Sequence, residues 1–195
     1  MDQLLIWVDE NDEVIGYGEK LETHRREQLH RAFSVFVYDG RNDRVLLQKR
    51  ASGKYHSGGK WSNACCSHQR RGEAEAEALR NRLKEELGLD VGPAEIESVP
   101  SEGNFCYMGK FTYYAPFDGL AEHEVDRVFV YRIPRDQEGQ LMANPEEAEK
   151  LKWVARPELE RWLQREPQAF SAWFSRALEL AWPAMEPQGG VQPAF

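Results

Sequence analysis

Two short runs far apart in the chain carry residue types that do chemistry: Cys66-Ser67-His68 and Glu122-His123-Glu124. In an extended strand, residues two apart project to the same face, so each run aims two functional groups into one pocket. With His24 and His30 upstream, a thiol, three imidazoles and two carboxylates can gather, enough for a metal centre with an acid and a base beside it. Imidazole nitrogens mixed with carboxylate oxygens suit Mn2+, Zn2+ or a Mg2+-like ion. On an extended segment Cys66 shares a face with His68, while Cys65 turns toward packing. A free cysteine is usually a small buried hydrophobe, and the matching direction of His68 is what lifts Cys66 above that reading. His56 falls in a glycine-rich loop and His123 points away from its glutamate neighbours, so neither is taken as a site residue.

These groups need a scaffold, and the hydrophobic pattern supplies one. Residues 4–18 alternate short apolar runs about a polar turn and predict a hairpin. The β-formers of 32–38 and 45–48 flank the turn sequence DGRND and predict a second hairpin. Residues 51–60 hold three glycines without apolar period, a loop of the kind that closes over ligands, leading into a strand over 61–66. Residues 73–87 predict a helix, with an apolar stripe at Ala76, Leu79, Leu83 and Leu87 and Gly88 as its stop. Strands are expected near 104–114, 125–133 and 151–154, and helices over 157–165 and 169–181. The acidic segment 144–150 reads as a solvated loop without a role. The order implies one α/β (α+β) domain over residues 1–183, a mixed sheet between helices, with a disordered tail from 184 to 195.

Composition narrows the function. A chain of 195 residues with 41% hydrophobic content builds one buried core. A net charge of -8 argues against a nucleic-acid or acidic-membrane partner, so an anionic ligand needs locally clustered cations. Three cysteines, two of them adjacent, suggest a reducing compartment. No apolar stretch reaches the roughly 20 residues of a membrane span, and the first residues lack a signal-peptide pattern. A cytoplasmic monomer is the expectation.

Residues 67–89 resemble a degenerate Nudix box, a loop and helix that bind a magnesium diphosphate. Glu73, Glu85, Glu86, Gly88 and Leu89 match its positions, Ser67 stands where glycine is usual, and Asn81-Arg82 replaces an Arg-Glu pair. The missing glutamate implies a reaction other than hydrolysis. Further matches in order are Glu19-Lys20, His24, LHRAFSVFVY, LLQKRASGK, KWSNACCSH, EHEVDRVF and AFSAW. From about residue 19 to 173 the chain resembles the type 1 isopentenyl-diphosphate Δ-isomerases.

That resemblance implies a Nudix-like fold and a reaction that moves a double bond between isopentenyl and dimethylallyl diphosphate through a tertiary carbocation. It implies Cys66 and Glu124 as catalytic residues, and His24, His30, His68, Glu122 and Glu124 as ligands of Mn2+, Zn2+ or Mg2+. Glu86 matches the ligand of a second, substrate-borne Mg2+. Lys20, Arg50, Lys54 and Arg82 match phosphate-binding positions, Trp173 the aromatic residue facing the cation, and Tyr113 an active-site tyrosine. The competing expectations are a Nudix diphosphohydrolase, a noncatalytic diphosphate-binding module and a cysteine hydrolase acting through Cys66.

Overall fold

The structure is a computed structural model that describes residues 4–54, 56–97 and 104–187. A hairpin of β1 (Leu5–Val8) and β2 (Val14–Gly18) leads to the short helix α1 (Lys20–Arg25). The carboxylate of Glu19 caps α1 by accepting from the Glu22 N–H at 3.0 Å. A second hairpin follows, β3 (His30–Asp39) and β4 (Arg44–Arg50), then the short strands β5 (Trp61–Asn63) and β6 (Cys65–Ser67). Helix α2 (Glu75–Leu87) stops at Gly88, whose φ of 69° suits glycine at a helix end. After α3 (Pro93–Glu97) comes the long hairpin β7 (Phe105–Phe117) and β8 (Leu120–Arg132). It turns on Asp118-Gly119, both at positive φ, in a two-residue connection that matches strand twist. The chain closes with α4 (Arg135–Glu138), β9 (Ala148–Ala155), α5 (Arg156–Arg165) and α6 (Phe174–Ala181).

β3 is the spine of the sheet. It pairs antiparallel with β4 and β6 and parallel with β8, and β8 in turn pairs with β7. Alternate side chains of β3 and β8 go to opposite sides. Val35, Val37, Phe129 and Tyr131 pack with Leu79, Leu83 and Leu87 of α2. On the other face, Phe36, Tyr38, Val128 and Val130 pack with Phe174, Ala177, Leu178 and Ala181 of α6. Burial on both faces explains why 32–38 is nearly continuous in apolar residues rather than alternating. The expected mixed sheet between helices is the fold observed.

Four expectations shift. The strand over 61–66 divides at Ala64, β5 pairing with β4 and β6 with β3. The helix over 169–181 begins only at Phe174, because Phe170 is extended and its backbone bridges Trp61; its apolar spacing was packing across a turn. The segment 144–150 is no plain solvated loop, since Ala148 is buried at the start of β9 and Glu147 faces a cavity. Finally, Ala184 and Met185 are buried against α6, carrying the fold past residue 183. The remainder of the expected tail, 188–195, lies outside the described residues. No described helix is long and apolar enough to cross a membrane.

Candidate active site

The register of three strands sets one row of side chains. Glu124 on β8 stands opposite His30 on β3 and opposite Tyr113 on β7. Glu122, Glu124 and Asp126 alternate along β8 and are buried on one face, whereas His123 turns out to bond the Glu27 carbonyl at 2.9 Å. Two rows further along β3, Ser34 faces Cys66 of β6, and His68 follows just past the end of that strand. Helix α1 lays His24 over this row, so residues remote in sequence meet at one end of the sheet.

His24, His30, His68 and Glu124 each present a ligand atom within 4.8 Å of the others. His30 Nε2 and His68 Nε2 face each other at 3.3 Å, and both approach Glu124 Oε1, at 3.4 and 2.9 Å. Nδ1 of His24 donates to the Lys20 carbonyl at 2.6 Å and Nδ1 of His30 to the Gln28 carbonyl at 2.8 Å. Those bonds leave each Nε2 as the lone-pair nitrogen turned inward, as in metal-ligating histidines. Burial pushes His24 down to about 4 and His68 to about 3, so both rings are neutral near pH 7. The donor set fits a divalent cation.

Glu122 lies outside this group of four and meets His56, whose Nδ1 is 2.6 Å from Glu122 Oε1. His56 is therefore a buried cavity residue, against the expectation that left it in an open loop. Burial and the charge of Glu124 push Glu122 up, to about 9. Burial acts the same way on Glu124, but its close contacts with His68 and His30 outweigh it and hold that carboxyl well below its usual range. Tyr113 donates to Glu124 Oε2 at 2.6 Å and, buried, keeps its proton.

Cys66 lines the same cavity, while Cys65 is fully buried in the α2 core. The Cys66 thiol donates to Asn63 Oδ1 at 3.0 Å; Trp173 Nε1 and the Ser62 hydroxyl donate to that same oxygen, each at 3.0 Å. Burial pushes Cys66 up to about 12, with the Arg50 charge and Ser62 opposing, so the thiol is neutral. Asn63 was missed by sequence reasoning. Its signal was an amide in the middle of a strand that the fold buries completely.

The cavity is lined chiefly by polar and charged side chains. Lys20, Arg50, Lys54 and Arg82 line it, and Arg50 rests 5.3 Å from the Trp173 ring centroid. Arg50 is buried, and its Nε has no hydrogen-bond partner among the described residues. Glu86 sits buried behind Arg82, its Oε1 3.2 Å from Nη2; burial pushes it up to about 7, Arg82 opposing and Glu147 adding. Two more carboxyls that sequence reasoning passed over line the cavity. Asp126 accepts from Ser34 Oγ at 2.8 Å, and Glu147 pairs with Lys54 at 2.6 Å.

A mixed sheet between helices, with a loop and helix delivering Arg82 and Glu86 beside a carboxylate-rich cavity, defines a Nudix-domain protein, and the family model for the NUDIX domain matches residues 28–174. Solved structures agree on the fold. A Deinococcus radiodurans protein superposes with a TM-score of 0.64 at 20% identity, covering 91% of this chain and 96% of that one. A MutT NUDIX hydrolase from Burkholderia pseudomallei gives 0.58 at 21% identity, covering 78% and 98%. Curated relatives are closer in sequence. An isopentenyl-diphosphate Delta-isomerase of Aromatoleum aromaticum is 42% identical, covering 92% of this chain and 86% of the relative. One of Serratia proteamaculans is 41% identical, covering 89% and 88%. The chain belongs to the isopentenyl-diphosphate Delta-isomerase family of the Nudix superfamily.

Proposed function

We propose that this protein is an isopentenyl-diphosphate Δ-isomerase whose chemistry is carried by Cys66 and Glu124. The observation that carries the reading is their placement: β6 and β8 flank β3, and each puts one group able to exchange a proton into a single cavity beside a wall of cations. One residue delivers a proton to C4 of the C3=C4 alkene, leaving a tertiary cation at C3. The other removes a proton from C2, and its electron pair becomes the C2=C3 bond. No atom of the diphosphate is exchanged.

The remaining residues prepare this transfer. Asn63 holds the thiol by its proton, and Tyr113 holds Glu124 by the oxygen that His30 and His68 leave free. Trp173, 6.1 Å from the Tyr113 ring, offers the cation a face worth about 0.5–2 kcal/mol. Lys20, Arg50, Lys54 and Arg82 receive the diphosphate, whose own Mg2+ Glu86 would help hold. His24, His30, His68 and Glu124 would hold a Mn2+, Zn2+ or Mg2+ ion, with Glu122 joining them. When bound, that ion keeps the neighbouring carboxylates ionised. Arg82, where hydrolysing Nudix proteins are expected to carry a metal-binding glutamate, disfavours activation of water. Three free cysteines suit a reducing cytosol.

Incubation of the metal-replete protein with isopentenyl diphosphate in D2O tests this. Product NMR is expected to show deuterium-bearing dimethylallyl diphosphate with no free phosphate. Release of phosphate or pyrophosphate would establish the hydrolase instead.

A further inference from the structure

Glu147 rests on the cations that the substrate needs. Its Oε2 accepts from Lys54 Nζ at 2.6 Å, and its Oε1 lies 3.6 Å from Arg82 Nη2. The Ala51 N–H donates to its carbonyl at 3.0 Å, which fixes the residue against the loop that carries Arg50 and Lys54. Arg82 is already paired with Glu85 and Glu86, so Glu147 adds a further carboxylate to cations that are partly compensated before any substrate arrives.

A bare diphosphate entering this wall must displace Glu147 or lie beside a like charge. A diphosphate that carries a divalent cation meets no such penalty, because carboxylate and phosphate oxygens together suit Mg2+. We propose that Glu147 is a specificity residue that makes the site reject metal-free diphosphate in favour of the cation-complexed form. The inference rests on the reading of this cavity as a diphosphate site. It does not depend on whether the bound molecule is then isomerised.

Glu147 also fastens the loop, and a purely structural role must be told apart from an electrostatic one. Glu149 provides the control: outside the cavity, its carboxylate accepts from the Ser52 N–H at 3.0 Å and pairs with Lys49 at 3.0 Å, fastening the same loop. The experiment is calorimetric titration of the full chain with inorganic pyrophosphate, with and without excess magnesium. Wild type, Glu147→Gln and Glu149→Gln are compared. In Glu147→Gln, metal-free pyrophosphate is expected to bind about tenfold more tightly, as fits removal of one nearby like charge. The magnesium complex gains nothing, and Glu149→Gln changes neither affinity. Unchanged or weaker metal-free binding in Glu147→Gln, or equal tightening of both forms, overturns the proposal. A wild type that binds neither form overturns the diphosphate reading with it. A tenfold shift in a protein without isomerase activity keeps this inference and sinks the isomerase.

Discussion

A buried thiol gives up its proton only where something stabilises the anion, and around Cys66 burial favours the neutral form over the opposing Arg50 charge and Ser62 hydroxyl. Removing the thiol in Cys66→Ala, or the charge in Glu124→Gln, is expected to cut kcat by about 10²–10⁴, the usual share of positioned acid–base groups. Cys65→Ala should leave kcat within a few-fold, since Cys65 packs under α2 away from the cavity. Near-normal turnover by Cys66→Ala would remove it from the mechanism. Asn63→Ala makes a second case. It strips the shared acceptor from Cys66, Ser62 and Trp173, so kcat should fall more than KM rises. Stability should drop by about 1–3 kcal/mol, the cost of unpaired buried donors. Denaturant unfolding beside steady-state kinetics checks both. Cys66, His68 and Glu124 were legible because strand alternation fixes which way a side chain points. Asn63 was not, because nothing in the sequence tells which three donors will converge on one amide oxygen. His56 and Glu147 come from loop sequence, where no period encodes direction.

Secondary structure was legible where one period ran unbroken, as in α2 and β3. It failed where one expected element served two partners: the strand over 61–66 splits, β5 pairing with β4 and β6 with β3, and the helix over 169–181 is extended at Phe170 and begins only at Phe174. The turn between β3 and β4 shows what holds such an element. Asp39 ends β3 fully buried and accepts from Arg41, Asn42 and Arg44, and both arginines reach on to Glu138 of α4. Burial pushes the Asp39 carboxyl up, yet hydrogen bonds from Asn42, Arg41 and Arg44 outweigh it and hold it at about 2. A folded value below the unfolded one, about 3.9, means the stabilisation is present at pH values above the unfolded value. It shrinks as pH falls from about 4 toward 2. Asp39→Asn is therefore expected to lose about 2 kcal/mol at pH 7 and clearly less at pH 3. Urea unfolding of both proteins across that range checks it, and a gap independent of pH would show that the Asp39 charge contributes nothing.

At the scale of the molecule, the histidine cluster ties together four segments that the fold brings to one place. His24 comes from α1, His30 from the start of β3, His68 from just past the end of β6 and Glu124 from β8. An ion bound there stabilises only the folded chain, since unfolding separates its ligands, and the gain follows RT ln(1 + [M]/Kd), about 2.7 kcal/mol at a hundredfold excess over Kd. For a chain of this size each kcal/mol moves Tm by roughly 2–4 °C. Adding Mn2+ or Zn2+ to chelator-treated protein should therefore raise Tm by about 5–10 °C, and chelator should reverse the rise. His30→Gln should lose most of that response, because His30 contacts both His68 and Glu124. His123→Gln should keep all of it, because that ring faces the Glu27 carbonyl outside the cluster. Metal that stabilises both variants alike would place the ion elsewhere. The two histidines stand on different elements of the same molecule, and only their place in the folded sheet makes them respond differently.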